Sequence, residues 1–217
     1  MINICFHGIG EPNRELEPGE SQYWITTDSF NRILDEVVGW PSAAISFDDG
    51  NSSDYRYGLP ALVDRGVTAA FFVLSGRFGQ AGSLSPDNLR ELHRCGMLIG
   101  SHGMNHLPWR GLPPAARDRE LIEAREVISA VIDSPVDQAA LPLGRYDRRL
   151  LAELRELGYV AVHTSDRRAA RPGAWLQPRF SVRRDDTAQS LRRDVVERAR
   201  IGARVEGWVK GVVKRLR

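Results

Sequence analysis

His102 and His106 stand four residues apart in Ser101-His102-Gly103-Met104-Asn105-His106, and an acidic pair followed by glycine, Asp48-Asp49-Gly50, precedes them. Two imidazoles and one carboxylate supply three nitrogen and oxygen ligands, the number that leaves a catalytic divalent metal an open position for water. The second carboxylate of the pair then has its own use. Held beside the metal, it can accept the proton of an attacking water. Each piece alone has a plainer reading, since Asp-Asp-Gly often marks a turn and paired histidines often sit on polar surface. Together they define a hydrolytic centre. The two cysteines of the chain, Cys5 and Cys95, are too few for a multi-thiolate zinc site or a disulfide framework.

Such a centre needs elements that bring distant residues to one place. Four times a polar, periodic segment ends at a glycine and an apolar run follows: Gly39 before Ala43 to Phe47, Gly66 before Val67 to Leu74, Gly96 before Met97 to Ile99, and Gly158 before Tyr159 to Val162. A glycine just past a helix accepts the left-handed conformation that ends it, and the run beyond reads as a buried strand. Ser85-Pro86 is an N-cap with proline at the first helical position, and Asp147 can cap the helix after it. Pro113-Pro114 opens a longer helix over Ala115 to Ile132. Alternating helices and wholly apolar strands describe a parallel α/β fold. In such folds sites gather at the carboxyl ends of the strands. Asp48-Asp49, the 101–106 segment, Pro142-Leu143-Gly144 and His7, at the end of Ile2 to Phe6, all fall at such ends.

Two of these segments resemble the first signature motifs of the polysaccharide deacetylases, also called carbohydrate esterase family 4 or NodB-homology enzymes. The carrying residues are Ser46-Phe47-Asp48-Asp49-Gly50 and His102-Gly103-Met104-Asn105-His106. The resemblance implies an irregular (β/α)7-type barrel that removes acetyl groups from glycans. It implies Asp49, His102 and His106 as ligands of a divalent metal, zinc first with Co, Ni, Mn or Fe as alternatives, and Asp48 as general base. Position 103 departs from the family, with glycine in place of Ser or Thr. Ala140 to Gly144 occupies the place of the third motif, where the Leu143 N–H can serve as the oxyanion donor. The arginine that orients the base is missing there, because Ala140 stands in its position; Arg179 is the candidate replacement. The family's C-terminal acid histidine is also absent, since no histidine follows His163. The opening strand ending at His7 resembles the start of a permuted branch, so His7 is expected as the acid, with His163 as the alternative. Pro142, Tyr146 and Trp175 are candidate substrate contacts, although Tyr146 could instead cap a helix and Trp175 could be core.

The net charge of +2 divides unevenly. Residues 187–217 hold nine Lys/Arg against three Asp/Glu, leaving the first 186 mildly acidic. A nucleic-acid binder would spread positive charge over its folded body, which argues against that class. The expected division is a barrel over 1–186 and a basic amphipathic helix over 187–217, carrying Trp208 and an apolar stripe from Leu191 to Leu216. Such a helix can rest on an anionic membrane surface or pack on the barrel. With no leader pattern before His7, the expected location is cytoplasmic, with peripheral membrane contact through that helix. The oligomeric state is open. The expected partner is an acetylated sugar or glycan. Two rival readings stand beside the deacetylase: an amidase for a small non-sugar substrate, and a catalytically silent glycan-binding protein.

Overall fold

The computed structural model describes residues 1–197. Ile2–Phe6 (β1) is followed by two short strands, Gly8–Ile9 (β2) and Trp24–Ile25 (β3), which pair with each other outside the main sheet. Thr27–Val38 (α1) then leads to Ala43–Asp49 (β4). Leu59–Asp64 (α2), Ala70–Val73 (β5), Pro86–Arg94 (α3) and Leu98–Ser101 (β6) continue the alternation. Pro114–Asp118 (α4) and Ala124–Ile132 (α5) precede Gln138–Ala140 (β7), and Arg148–Glu156 (α6) precedes Ala161–Thr164 (β8). Leu176–Pro178 (β9), Phe180–Ser181 (β10) and Ala188–Leu191 (α7) complete the labelled elements.

The main sheet is wholly parallel, in the order β10-β1-β4-β5-β6-β7-β8-β9. Strands β9 and β10 are separated in the chain by Arg179 alone, so the two ends of the sheet meet at that residue. The result is a barrel-like sheet of seven strand paths, as the (β/α)7 expectation requires. The opening strand β1 lies inside it, bonded to β4 on one side and to β10 on the other.

Two apolar clusters lie between strands and helices. The larger joins β1, β4 and β5 to α1, where Phe30, Ile33, Leu34 and Val37 recur at helical spacing and are all buried. Phe47 stacks on Phe71 at 4.6 Å within it. The smaller gathers Leu121, Leu150, Leu154, Tyr159 and Val162 beneath the later helices. The opposite face of the strands fills the barrel itself. Because side chains alternate along a strand, Ser46 and Asp48 share this inner face. Arg179 reaches both of them, lying 5.2 Å over the Phe72 ring. A Cβ at Gly100 would overlap Phe72, so glycine there makes room for the ring.

Helix ends follow the expected chemistry with one exception. Ser85 and Asn88 form a reciprocal capping box, and Asp147 accepts from the Leu150 N–H. Gly66, Gly96 and Gly158 take φ of 62°, 80° and 77°. Gly39 does not; its φ is −78°, and the left-handed turn falls at Ser42 instead. The Val67 to Leu74 run forms a strand only over β5. The helix expected over Ala115 to Ile132 is present but interrupted by a π turn at Arg119–Glu123, between α4 and α5. Of the basic tail, Leu191 and Val195 are buried in the larger cluster. The rest of that stripe lies outside the described residues. Among the described residues no helix is long and apolar enough to cross a membrane.

Candidate active site

Strand β4 runs on through Asp48 and Asp49, so the acidic pair sits on the strand end itself rather than in the loop beyond. Asp49 turns there with φ of 75°. Its Oδ1 lies 3.4 Å from His102 Nε2 and 3.5 Å from His106 Nε2, is buried, and has no hydrogen-bond partner. Both rings present Nε2 because Nδ1 is engaged behind. His102 Nδ1 donates to the Ala140 carbonyl at 2.9 Å, and His106 Nδ1 pairs with Glu17 Oε2 at 2.6 Å. An orphaned carboxylate oxygen facing two imidazole nitrogens fits a divalent metal, with one ligand atom from each residue.

Asp48 stands alongside with a different partner. Arg179 holds it in a bidentate pair, Nη1 to Oδ1 and Nη2 to Oδ2, both at 2.6 Å. The same Nη1 donates to Ser46 Oγ at 3.0 Å. Burial alone would push the Asp48 carboxyl up, but the adjacent guanidinium outweighs it and holds the pKa at about 2. Asp48 is therefore ionised throughout the neutral range. A second cluster of donors, Cys5, His7 and Asp48, is close enough to invite a metal. It does not fit one. The Arg179 guanidinium sets a positive charge against both Asp48 oxygens, which disfavours a cation there, and burial raises the Cys5 thiol well above its usual range.

His7 follows β1 directly and stacks on Tyr23, ring centroids 4.8 Å apart. Its Nδ1 is sealed without a partner. Burial lowers its pKa despite the pull of Asp49 and Asp48, so the ring is neutral at pH 7. His7, Asp48, Asp49, His102, His106 and Arg179 all line one cavity of about 380 Å³. Leu143 lines it too. It sits second in a one-turn 3-10 helix at Pro142–Gly144, where no acceptor within the helix is available to its N–H. Leu143 has φ of 56° and His106 has φ of 58°. With Asp49, three cavity residues other than glycine are thus held in a conformation costing about 1 to 3 kcal/mol each.

Four candidates fall elsewhere. His163 lies within β8, its Nε2 on the Gln138 side chain at 3.1 Å and its ring against Phe72 inside the barrel; it does not line the cavity. Trp175 precedes β9 and so lies at the wrong end of the strands; its indole N–H donates to Tyr159 O and Arg155 covers its face. Tyr146 packs on the smaller cluster while its hydroxyl donates to Asp166. Pro142 is buried beneath the turn it opens. None of the last three lines the cavity.

Several cavity residues carried no sequence signal. Glu17, Gln22 and Tyr23 come from the aperiodic stretch between β2 and β3, and Arg145 and Ser165 from loops. Glu120, which lies behind the cavity rather than on it, had a readable one. It stands in register with Ala124 and Ile128 on the buried stripe of its helix, where a carboxylate is out of place. From the π turn it accepts from the Met104 N–H at 2.8 Å and the Asn105 N–H at 3.0 Å, fixing the loop between the two histidines. A Cβ at Gly103, where φ is 89°, would collide with the Glu120 carboxylate. Glycine suits this position both for its left-handed backbone and for the space that Glu120 and the Trp109 indole leave.

A parallel barrel with a histidine–aspartate donor set at its carboxyl rim belongs to the class of α/β barrels that present a metal-fitting site on strand ends. Residues 37–162 match the family model for polysaccharide deacetylase, and the chain belongs to that family. It is 27% identical over 155 residues to YxkH of Bacillus subtilis (strain 168), a protein named for polysaccharide deacetylation; that match covers 71% of this chain and 53% of YxkH. The chain thus spans about half the length of that relative. Among solved structures it resembles the Streptococcus pyogenes deacetylase PplD in complex with acetate, at TM-score 0.74 and 18% identity, covering 88% of this chain and 96% of that one. It also resembles IcaB from Ammonifex degensii, at TM-score 0.72 and 23% identity, covering 88% and 94%. At such identities the likeness is one of fold.

Proposed function

We propose that this protein is a metal-dependent hydrolase that removes acetyl groups from an N-acetylated sugar or glycan. Family membership supports deacetylation. The observation that carries the finer reading is the pairing of two unlike aspartates in one cavity: Asp49 facing two imidazoles, Asp48 held by Arg179. A divalent metal on Asp49, His102 and His106, zinc by the chemistry of the donor set, supplies Lewis acidity and an activated water when bound.

The chain's own residues do the rest. Asp48, ionised and aligned by Arg179, accepts the proton of the attacking water. The Leu143 N–H donates to the oxygen that gains negative charge, a contact worth about 3 kcal/mol. His7 delivers a proton to the leaving nitrogen. Because burial keeps its ring neutral at the outset, the proton it delivers is the one Asp48 has taken from the water, the His7 ring lying within 4.8 Å of the Asp48 carboxylate. Gln22, Tyr23, Arg145 and Ser165 line the same cavity and offer partners to sugar hydroxyls.

The test is acetate release from N-acetylglucosamine oligomers by zinc-loaded protein. Asp48→Asn and His7→Ala are expected to lower turnover by about 10²- to 10⁴-fold each, the usual contribution of a positioned acid or base. His163→Ala is expected to retain turnover. A folded, metal-loaded protein inert on a broad panel of acetylated glycans sinks the deacetylase reading. Activity on cyclic amides instead would favour the amidase, and glycan binding without acetate release would favour the silent binder.

A further inference from the structure

The two histidines that face Asp49 are anchored unequally. His102 is held by a main-chain carbonyl of β7, part of the barrel wall. His106 is held by a side chain, Glu17, from the segment between β2 and β3 that passes beside the cavity. We propose that Glu17 is a positioning residue for His106, making that segment part of the metal centre. This rests on the reading of His106 as a metal ligand.

A carboxylate can only accept, so the 2.6 Å contact places a hydrogen on His106 Nδ1 and leaves the Nε2 lone pair facing Asp49. The carboxylate is itself held. Its other oxygen pairs with Arg77, which follows β5, and the Glu17 N–H donates to Glu20 Oε2 at 2.8 Å. Glu20 pairs with Arg14, whose Nη2 donates to Asn51 Oδ1 at 2.8 Å, two residues beyond Asp49. Burial alone would raise the Glu20 carboxyl, yet Arg14 and the Glu17 N–H hold it below its usual value. The segment is thereby tied at both ends of the donor set, through Glu17 to His106 and through Arg14 to the turn after Asp49. His106 also carries a left-handed backbone, with φ of 58°, a conformation uncommon outside glycine.

The test uses the full chain with zinc and a competing chelator. Glu17→Ala is expected to weaken zinc binding about 10- to 100-fold, the usual effect of removing a carboxylate behind a ligating histidine. Glu17→Gln should lose less, because its amide oxygen still accepts from Nδ1–H, and Arg77→Met should fall between wild type and Glu17→Ala. Long-range ¹H–¹⁵N spectra of the metal-free protein should show His106 as the Nδ1–H tautomer, and a mixture in Glu17→Ala. Zinc affinity within twofold of wild type in Glu17→Ala, or an unchanged tautomer, overturns the proposal. So does a change confined to the unfolding midpoint, which is all a merely structural role would move. If wild type binds no zinc, the metal reading fails, and the tautomer measurement still decides the positioning claim.

Discussion

Asp48 and Asp49 are neighbours with the same side chain, yet their surroundings assign them different work. Asp49 faces imidazoles that can share a metal, whereas Asp48 faces a guanidinium that keeps it charged and aligned. The Arg179–Asp48 pair is buried, and breaking such a pair by removing one partner costs about 3 to 5 kcal/mol because the other charge stays unpaired. Arg179→Met should therefore destabilise the fold in denaturant titrations. It should also raise the Asp48 carboxyl from about 2, moving the acid limb of the kcat–pH profile to higher pH. Lysine is a poor substitute, since it cannot make the bidentate contact. An unchanged acid limb in Arg179→Met would show that Arg179 does not tune the base.

At the scale of elements, the π turn between α4 and α5 is the feature that the helical period does not foretell. One extra residue in the turn aims Glu120 at the loop carrying His106, and π turns recur at functional sites for such reasons. Glu120→Ala leaves the Met104 and Asn105 N–H groups without their carboxylate. Each unsatisfied donor costs about 1 to 3 kcal/mol, and zinc affinity should fall as the loop loosens. Equilibrium unfolding together with chelator competition checks this. A variant as stable as wild type that binds zinc equally well would mean that the loop holds its shape without Glu120.

At the scale of the whole molecule, closure of the barrel turns the half-buried His163 ring inward against Phe72. Burial drives its pKa down to about 3 from an ordinary 6.5, so the folded protein keeps the ring neutral where the unfolded chain protonates it. The unfolded state thus binds the extra proton between those values. Stability from this group is complete above pH 6.5 and is lost as pH falls toward 3, by at most about 1.4 kcal/mol per pH unit. Unfolding free energy measured from pH 7 to 4 should fall more steeply for wild type than for His163→Gln. Parallel curves would show that the fold does not hold the ring neutral.

Much of the metal-fitting constellation was legible in the residue order. Asp48-Asp49 and His102 to His106 are local spacings on strand ends, and strand ends follow from apolar runs and helix-stopping glycines. The remainder depends on contacts that no local pattern encodes. Arg179 reaches Asp48 across 131 residues and Glu17 reaches His106 across 89. Composition likewise could not separate His7 from His163, because both lie at or near strand ends. One is carried to the rim and the other is turned into the barrel. Trp175 stayed open between cavity and core for the related reason that residue type does not tell which end of a strand a side chain occupies. Short-range periodicity determined the elements and the donor types. The closure of the sheet at Arg179 decided which donors meet, because only the folded barrel brings its first and last strands together.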